Sequence, residues 1–320
     1  MTLAEVQGQE EGVKSLRRVV EGKFTSPLLL VGTEGTGRRF AVTQAIKEMF
    51  CSGSKQSDCA CPDCTQVTYG VHPDLLTISA EAKDIGIDAV REAIERSTSY
   101  PVAAPVRVFL VDGVDQITTA AANAILKTLE EPPSTTRFFL LAESLSRVLP
   151  TIQSRCGLVH FRPLPEDFIL SVLHQHCSDR GKALVYCRLS EGSVGQAVRL
   201  WSSSRLSLRD KIFTLLVYGL KKDVPSLFSA IDALGKDLLL GLQFFELLLL
   251  DLAMIQHDPS RVINQDLIEK LSAVRAKLQV PTWRYLVDGL RQVRGAYHNT
   301  HISLPFHVKA LFVSAFSRAS

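Results

Sequence analysis

The sequence predicts an α/β domain of the P-loop type, a parallel sheet covered by helices on both faces, followed by an all-α C-terminal half. Three observations carry this prediction. Up to about residue 163, short apolar runs alternate with amphipathic helical stretches, the pattern of strands buried on both faces. The glycine-rich turn "VGTEGTGRRF", residues 31–40, joins the first apolar run to the first long helix, where a phosphate-binding loop belongs. Beyond "RPLPED" (Arg162 to Asp167) the strand pattern stops and helical periodicity continues toward Ser320.

The elements follow in order. Strands are expected at Pro27 to Val31, Asp74 to Ile78, Arg107 to Val111, Arg137 to Ala142 and Leu158 to Phe161. Helices are expected between them, among them Phe40 to Phe50 and Ile87 to Ser97. "TTAAANAILKTLEEPP" predicts another, with Ala122, Ile125, Leu126 and Leu129 on one face. Thr118 or Thr119 caps its start, and Pro132 and Pro133 end it. Residues 165 to about 204 read as two or three short helices around the turn "SEGSVG" (Ser190 to Gly195). "WSSSR" (Trp201 to Arg205) reads as a linker, and helices interrupted at Pro225, Pro259, Pro281 and Pro305 fill the rest. The expected domains are therefore 1–163, 164–204 and 205–320.

Composition sets bounds. The chain has 320 residues, 46% hydrophobic and 22% charged, ordinary for a soluble protein of two or three domains. A net charge of +3 gives no electrostatic case for nucleic acid on its own. Glu5, Glu10 and Glu11 interrupt any N-terminal signal pattern. The longest apolar run, Leu238 to Met254, contains Gln243, Glu246 and Asp251. A membrane span needs ~20 residues with few charges, so this run is expected to be a largely buried helix. The expected location is the cytoplasm, with no membrane partner.

The loop departs from a working phosphate site. Gly32, Gly35 and Gly37 supply the turn, but Arg38 and Arg39 stand where a lysine and then a hydroxyl residue belong. Arg38 replaces a compact ammonium with a broad planar group. Arg39 has no oxygen for magnesium and puts a cation near the metal position. The strand "VFLVDGVD" ends in Asp112, as a metal-holding strand does, but Gly113 follows and cannot activate water. Asp115 lies too far past the strand end to replace it. Alone, "GTEGTGRR" is also compatible with an ordinary glycine turn; followed by "VFLVD" it reads as a vestigial nucleotide fold.

Four of the seven cysteines, Cys51, Cys59, Cys61 and Cys64, fall within 14 residues. Clustered thiols of this kind suit tetrahedral zinc at ~2.3 Å. The intervening gaps are seven, one and two residues. The tight "CAC" step leaves two alternatives open: Asp58 or Asp63 replaces one thiolate, or the thiols are reduced and metal-free.

"AAANAILKTLEEPPSTTRFFLLAES" followed by "LPTIQSRC" resembles the AAA+ domain of bacterial clamp-loader subunits of DNA polymerase III. The departures resemble those of the delta prime branch of that family, not the ATP-hydrolysing gamma/tau branch. The resemblance is dense from Val6 to Pro163 and weaker through "AYHNTHISLPFHVKALF". It implies an AAA+ module, a small helical lid and a helical collar. It also implies a pentameric ring with gamma/tau-like and delta-like subunits, which loads a sliding clamp onto primer–template DNA. Within that ring it implies a non-hydrolysing stator that binds no ATP tightly. Such a stator lends a neighbour the arginine of its "SRC" motif, here Ser154, Arg155 and Cys156. Read without the resemblance, Arg155 is a surface arginine at a helix end.

The resemblance further implies a structural zinc module at the cysteine cluster, although each of the first two gaps here is one residue shorter than the family's usual spacing. Two more departures point away from hydrolysis. Gly195 in "GSVGQA" occupies the place of a lid arginine that touches nucleotide, and Glu143 replaces a small hydroxyl residue. Two other readings compete: an ATP-hydrolysing gamma/tau-like motor subunit, and a zinc-dependent DNA-binding protein, which would show a steep salt dependence.

Overall fold

The computed structural model describes residues 2–54, 59–79, 84–177, 179–203, 205–299 and 303–317. It divides into two compact units: Met1–Ile169 with Glu191–Gln196, and Leu170–Ser190 with Ala197–Ser320. The turn of the expected lid segment thus belongs to the first unit.

The first unit is an α/β domain. Its elements run α1 (Glu10–Val20), β1 (Leu28–Val31), α2 (Arg38–Phe50), α3 (Pro62–Tyr69), β2 (Leu75–Ser79), α4 (Ile87–Ser97), β3 (Arg107–Asp112), α5 (Thr119–Glu130), β4 (Thr136–Ala142), α6 (Pro150–Gln153) and β5 (Gly157–His160). The strands form one parallel sheet in the order β2-β3-β4-β1-β5. Alternation sends successive residues to opposite faces. Leu29, Val31, Phe109, Val111, Phe138 and Leu140 join the core that includes Val90, Ile125 and Leu129. Leu28, Leu30, Val108, Leu110, Phe139 and Leu141 join the core that includes Leu16, Val42 and Ile46. Burial on both faces is why these strands read as unbroken apolar runs.

Local chemistry fixes the ends. Thr118 Oγ1 accepts from the Ala121 amide at 3.3 Å and caps α5, a bond worth about 1 kcal/mol. Just before β2, fully buried Asp74 accepts from the amides of Val102, Ala103 and Ala104 at 2.7–2.8 Å. It also pairs with Arg107 at 3.2 Å. Burial raises its pKa, but these amides and the guanidinium outweigh burial and hold it below the ordinary carboxylate range.

Beyond β5 come α7 (Glu166–His174), α8 (Arg180–Leu189) and α9 (Val194–Ser202). The C-terminal helices are α10 (Leu206–Lys221), α11 (Val224–Leu234), α12 (Leu238–His257), α13 (Ile268–Arg275), α14 (Val280–Asn299) and α15 (Leu304–Ser317). Pro225, Pro281 and Pro305 sit in the first turns of α11, α14 and α15, where a missing N–H costs nothing. The stretch Val224–His257 has the length and apolarity of a membrane span. Within it, α12 packs against α10, α13 and α14 and carries the fully buried Asp251. Asp251 accepts from the amides of Ile263 at 2.7 Å and Asn264 at 3.0 Å. These contacts make α12 a core helix of a bundle.

Candidate functional site

The C-terminal ends of β1, β4 and β3 lie side by side, which is where a parallel α/β sheet binds its ligand. The glycine loop leaves β1 here. Gly35 and Gly37 have φ of 78° and 95°, the left-handed region that glycine enters without penalty. Gly37 is the residue preceding α2. The loop therefore turns at its glycines, and the two arginines that follow reach to neighbouring strand ends.

Arg38 is buried, and its Nη1 donates to the carbonyl of Ala142 at the end of β4. Burial draws its pKa down, against the opposing charges of Glu143, Asp112, Asp115 and Glu34. Arg39 reaches one strand further, and its Nη1 donates to Asp112 Oδ2 at 2.7 Å. The carboxylate at the end of the metal-type strand thus already holds a cation from its own chain. Arg147 lies 2.7 Å from Asp115 and 3.3 Å from Glu143. Gly113, with φ of 94°, presents no side chain toward this crevice.

The Ser190–Gly195 turn lies against the loop. The Gly195 amide donates to the Gly35 carbonyl at 3.3 Å. A Cβ on Gly35 would stand 2.1 Å from Ser193 Oγ and 3.3 Å from Gly195 Cα. Ser193 Oγ itself accepts from the Gln196 amide at 3.0 Å. Gly195 thus faces the loop with backbone alone. On the other side, buried Gln9 donates to the carbonyls of Thr36 and Arg162 at 3.1 and 2.7 Å and accepts from the Arg162 amide at 3.2 Å. Gln9 was signalled by no sequence motif, and Ser193 lies in "GSVGQA", where the pattern pointed to position 195 and not to it.

The SRC segment follows α6. Arg155 Nε donates to Glu130 Oε1 at 2.8 Å, and Nη2 donates to the same oxygen. Nη1 donates to the Thr151 carbonyl at 2.8 Å and contacts Ser154 Oγ at 3.3 Å. Cys156 packs against the sheet core, and burial pushes its thiol up to about 12. Its contribution here is packing, not nucleophilicity. Glu130, the last residue of α5, is a partner that sequence reading missed. An acid at a helix C-terminus, against the helix dipole, was the available signal.

The four cysteines come together. Their sulfurs all lie within 4.8 Å of one another, with Cys51 3.5 Å from Cys59 and 3.9 Å from Cys61. Tetrahedral zinc with Zn–S bonds of ~2.3 Å puts its sulfurs ~3.8 Å apart, so the donor set fits. The Cys64 amide holds the Cys61 thiol down to about 6, toward the ligating thiolate. Burial and the neighbouring thiols push Cys64 up. Asp63 is engaged by Ser52 Oγ and lies 3.5 Å from His72 Nε2. Asp58 lies outside the described residues.

Comparisons with known proteins agree in direction. Residues 8–165 match the family model described as DNA polymerase III, delta subunit. The chain is 31% identical over 251 residues to DNA polymerase III subunit delta' of Escherichia coli, covering 77% of this chain and 75% of that one. It is 29% identical over 208 residues to subunit tau of the same organism, covering 62% of this chain and 32% of that one. It is 25% identical over 242 residues to the replication factor C small subunit of Thermoplasma acidophilum, covering 71% and 70% respectively.

Proposed function

The chain belongs to the DNA polymerase III clamp-loader subunits related to delta', gamma and tau, and we propose that within that family it is a non-hydrolysing member. It binds no ATP tightly, stands as a stator in a pentameric ring, and donates Arg155 to ATP held by a neighbouring subunit. The ring works on a sliding clamp and primer–template DNA, in the cytoplasm. The three-part division 1–163, 164–204 and 205–320 fits this reading as AAA+ domain, lid and collar.

The observation that carries the proposal is the fate of the loop cations. Arg38 is spent on the Ala142 carbonyl and Arg39 on Asp112. With Gly113 next to Asp112, the strand end carries no second carboxylate to activate water. A triphosphate entering the crevice finds its cations already paired, Arg39 with Asp112 and Arg147 with Asp115 and Glu143, and a turn lying on Gly35. An arginine acting in trans needs none of these parts. It stabilises charge developing on the transferred phosphoryl group, an effect worth roughly 10³ to 10⁵ in rate at the site it serves. Arg155, partly exposed after α6, supplies such a group.

Cys51, Cys59, Cys61 and Cys64 would hold a structural zinc ion. When bound, the ion fixes the loop between α2 and α3 and supplies no reaction chemistry.

The test is DNA-stimulated ATP hydrolysis by the reconstituted complex, with the isolated chain as blank. The expected result is no turnover by the isolated chain and a fall in the complex on Arg155→Ala. Magnesium-dependent turnover by the isolated chain would favour the motor reading instead.

A further inference from the structure

Arg155 is not a free cation in this chain. A guanidinium clamps a phosphate through a pair of parallel N–H groups along one edge. Here the Nε/Nη2 edge is taken by Glu130, and Nη1 is engaged by the Thr151 carbonyl and by Ser154 Oγ. Of the five N–H groups, no complete edge remains to present to an outside anion. Glu130 has no local reason to be acidic. It ends α5, where the helix dipole disfavours a carboxylate. About half of its side chain is exposed, so a competing anion can reach the pair.

We propose that Glu130 stows Arg155: the carboxylate neutralises the guanidinium in the free chain and releases it when the neighbouring subunit's nucleotide phosphate competes for the same edge. This rests on the trans-arginine reading above and adds its control. The arrangement has two consequences. An unassembled chain does not offer Arg155 as a naked cation to other phosphates, including those of nucleic acid. In the ring, engagement of the arginine becomes an exchange of one anion for another, so its position depends on whether the neighbour holds a triphosphate.

The exchange works against an ion pair open to solvent, and such pairs are weak. Removing the carboxylate charge therefore has a bounded effect. Glu130→Gln keeps the side chain's size and loses its charge. In the reconstituted complex it is expected to raise DNA-stimulated ATP turnover by up to about fivefold. The gain should shrink as salt screens the pair in wild type. The double variant Glu130→Gln/Arg155→Ala should match Arg155→Ala alone. In the isolated chain, the Arg155 Nε–H resonance should lose its exchange protection in Glu130→Gln.

The outcomes separate the two ideas. If Arg155→Ala cuts turnover while Glu130→Gln is slower than or equal to wild type, the stowing role is wrong and the trans arginine stands. A Glu130→Gln loss as deep as that of Arg155→Ala would make Glu130 a positioning residue that must stay engaged. If Arg155→Ala leaves turnover unchanged, the trans-arginine reading fails and the stowing role fails with it.

Discussion

Gly35→Ala tests whether the lid turn rests on the glycine loop. Alanine at φ of 78° pays about 1–2 kcal/mol for the left-handed conformation. Its Cβ would also stand 2.1 Å from Ser193 Oγ, so the turn must retreat. Retreat breaks the bond from the Gly195 amide to the Gly35 carbonyl, worth about 1 kcal/mol. The total is about 3 kcal/mol, or on the order of 100-fold in a local opening equilibrium. Hydrogen–deuterium exchange of a peptide covering residues 190–198 reads that opening directly. Ser193→Ala removes the clashing oxygen and also the bond to the Gln196 amide, at a cost of about 1 kcal/mol. Because the two sites touch, Gly35→Ala/Ser193→Ala should cost less than the sum by about 1 kcal/mol. Unchanged exchange in Gly35→Ala, or strict additivity in the double variant, would refute the contact.

Magnesium ATP at about 1 mM should leave the melting temperature of the isolated chain unchanged, whereas a site with a Kd of about 10 μM would add about 2.7 kcal/mol and several degrees. Elemental analysis of protein purified without chelator should find one zinc per chain, and Cys61→Ser should lower both zinc content and thermal stability. Asp74→Asn leaves Arg107 without its carboxylate and the loop amides with fewer acceptors, so chemical denaturation should show a loss of about 3 kcal/mol. The pH dependence follows from the depressed folded pKa of Asp74. Its stabilisation is present above the unfolded carboxylate value of about 3.9 and is lost as pH falls through the folded value. Wild-type stability should therefore drop below about pH 4 more steeply than that of Asp74→Asn.

The sheet was legible because its inner strands, β3, β4 and β1, are buried on both faces and all five are bounded by turn residues. Each expected strand lies within about a residue of its observed ends, and α4 spans Ile87–Ser97 as expected. In α5 the expected face is right for Ala122, Ile125 and Leu129. Leu126 is half-buried and still packs against the same core, which Ala121 also joins. The prolines read as breaks do separate helices: Pro225, Pro281 and Pro305 sit in the first turn of the next one, and Pro259 follows the end of α12.

At the site, residue types were legible and destinations were not. Pattern alone put a cation beside the metal position at Arg39, but a long side chain has many rotamers, and only the fold places Asp112 within 2.7 Å. The same holds for Arg38 and the Ala142 carbonyl, 104 residues away in the chain. Glycine at position 195 reads in the sequence as a lost arginine. In the fold it is also the residue whose amide meets Gly35. The cysteine spacing left the ligand set open, and the fold gathers all four sulfurs because the short "CAC" step lies in a loop free to bend. Glu130 went unnoticed because its partner lies 25 residues on.

The central claim is that this chain's nucleotide chemistry is carried out for a neighbour. The most direct measurement is single-turnover ATP hydrolysis by the assembled complex, comparing wild type with Arg155→Ala and Arg155→Lys. The account predicts that hydrolysis at one neighbouring site slows by on the order of 10³ in Arg155→Ala, with unchanged assembly and little rescue by lysine, which lacks the planar fork. Wild-type hydrolysis at every site in Arg155→Ala, with ATP turned over by the isolated chain, would contradict it.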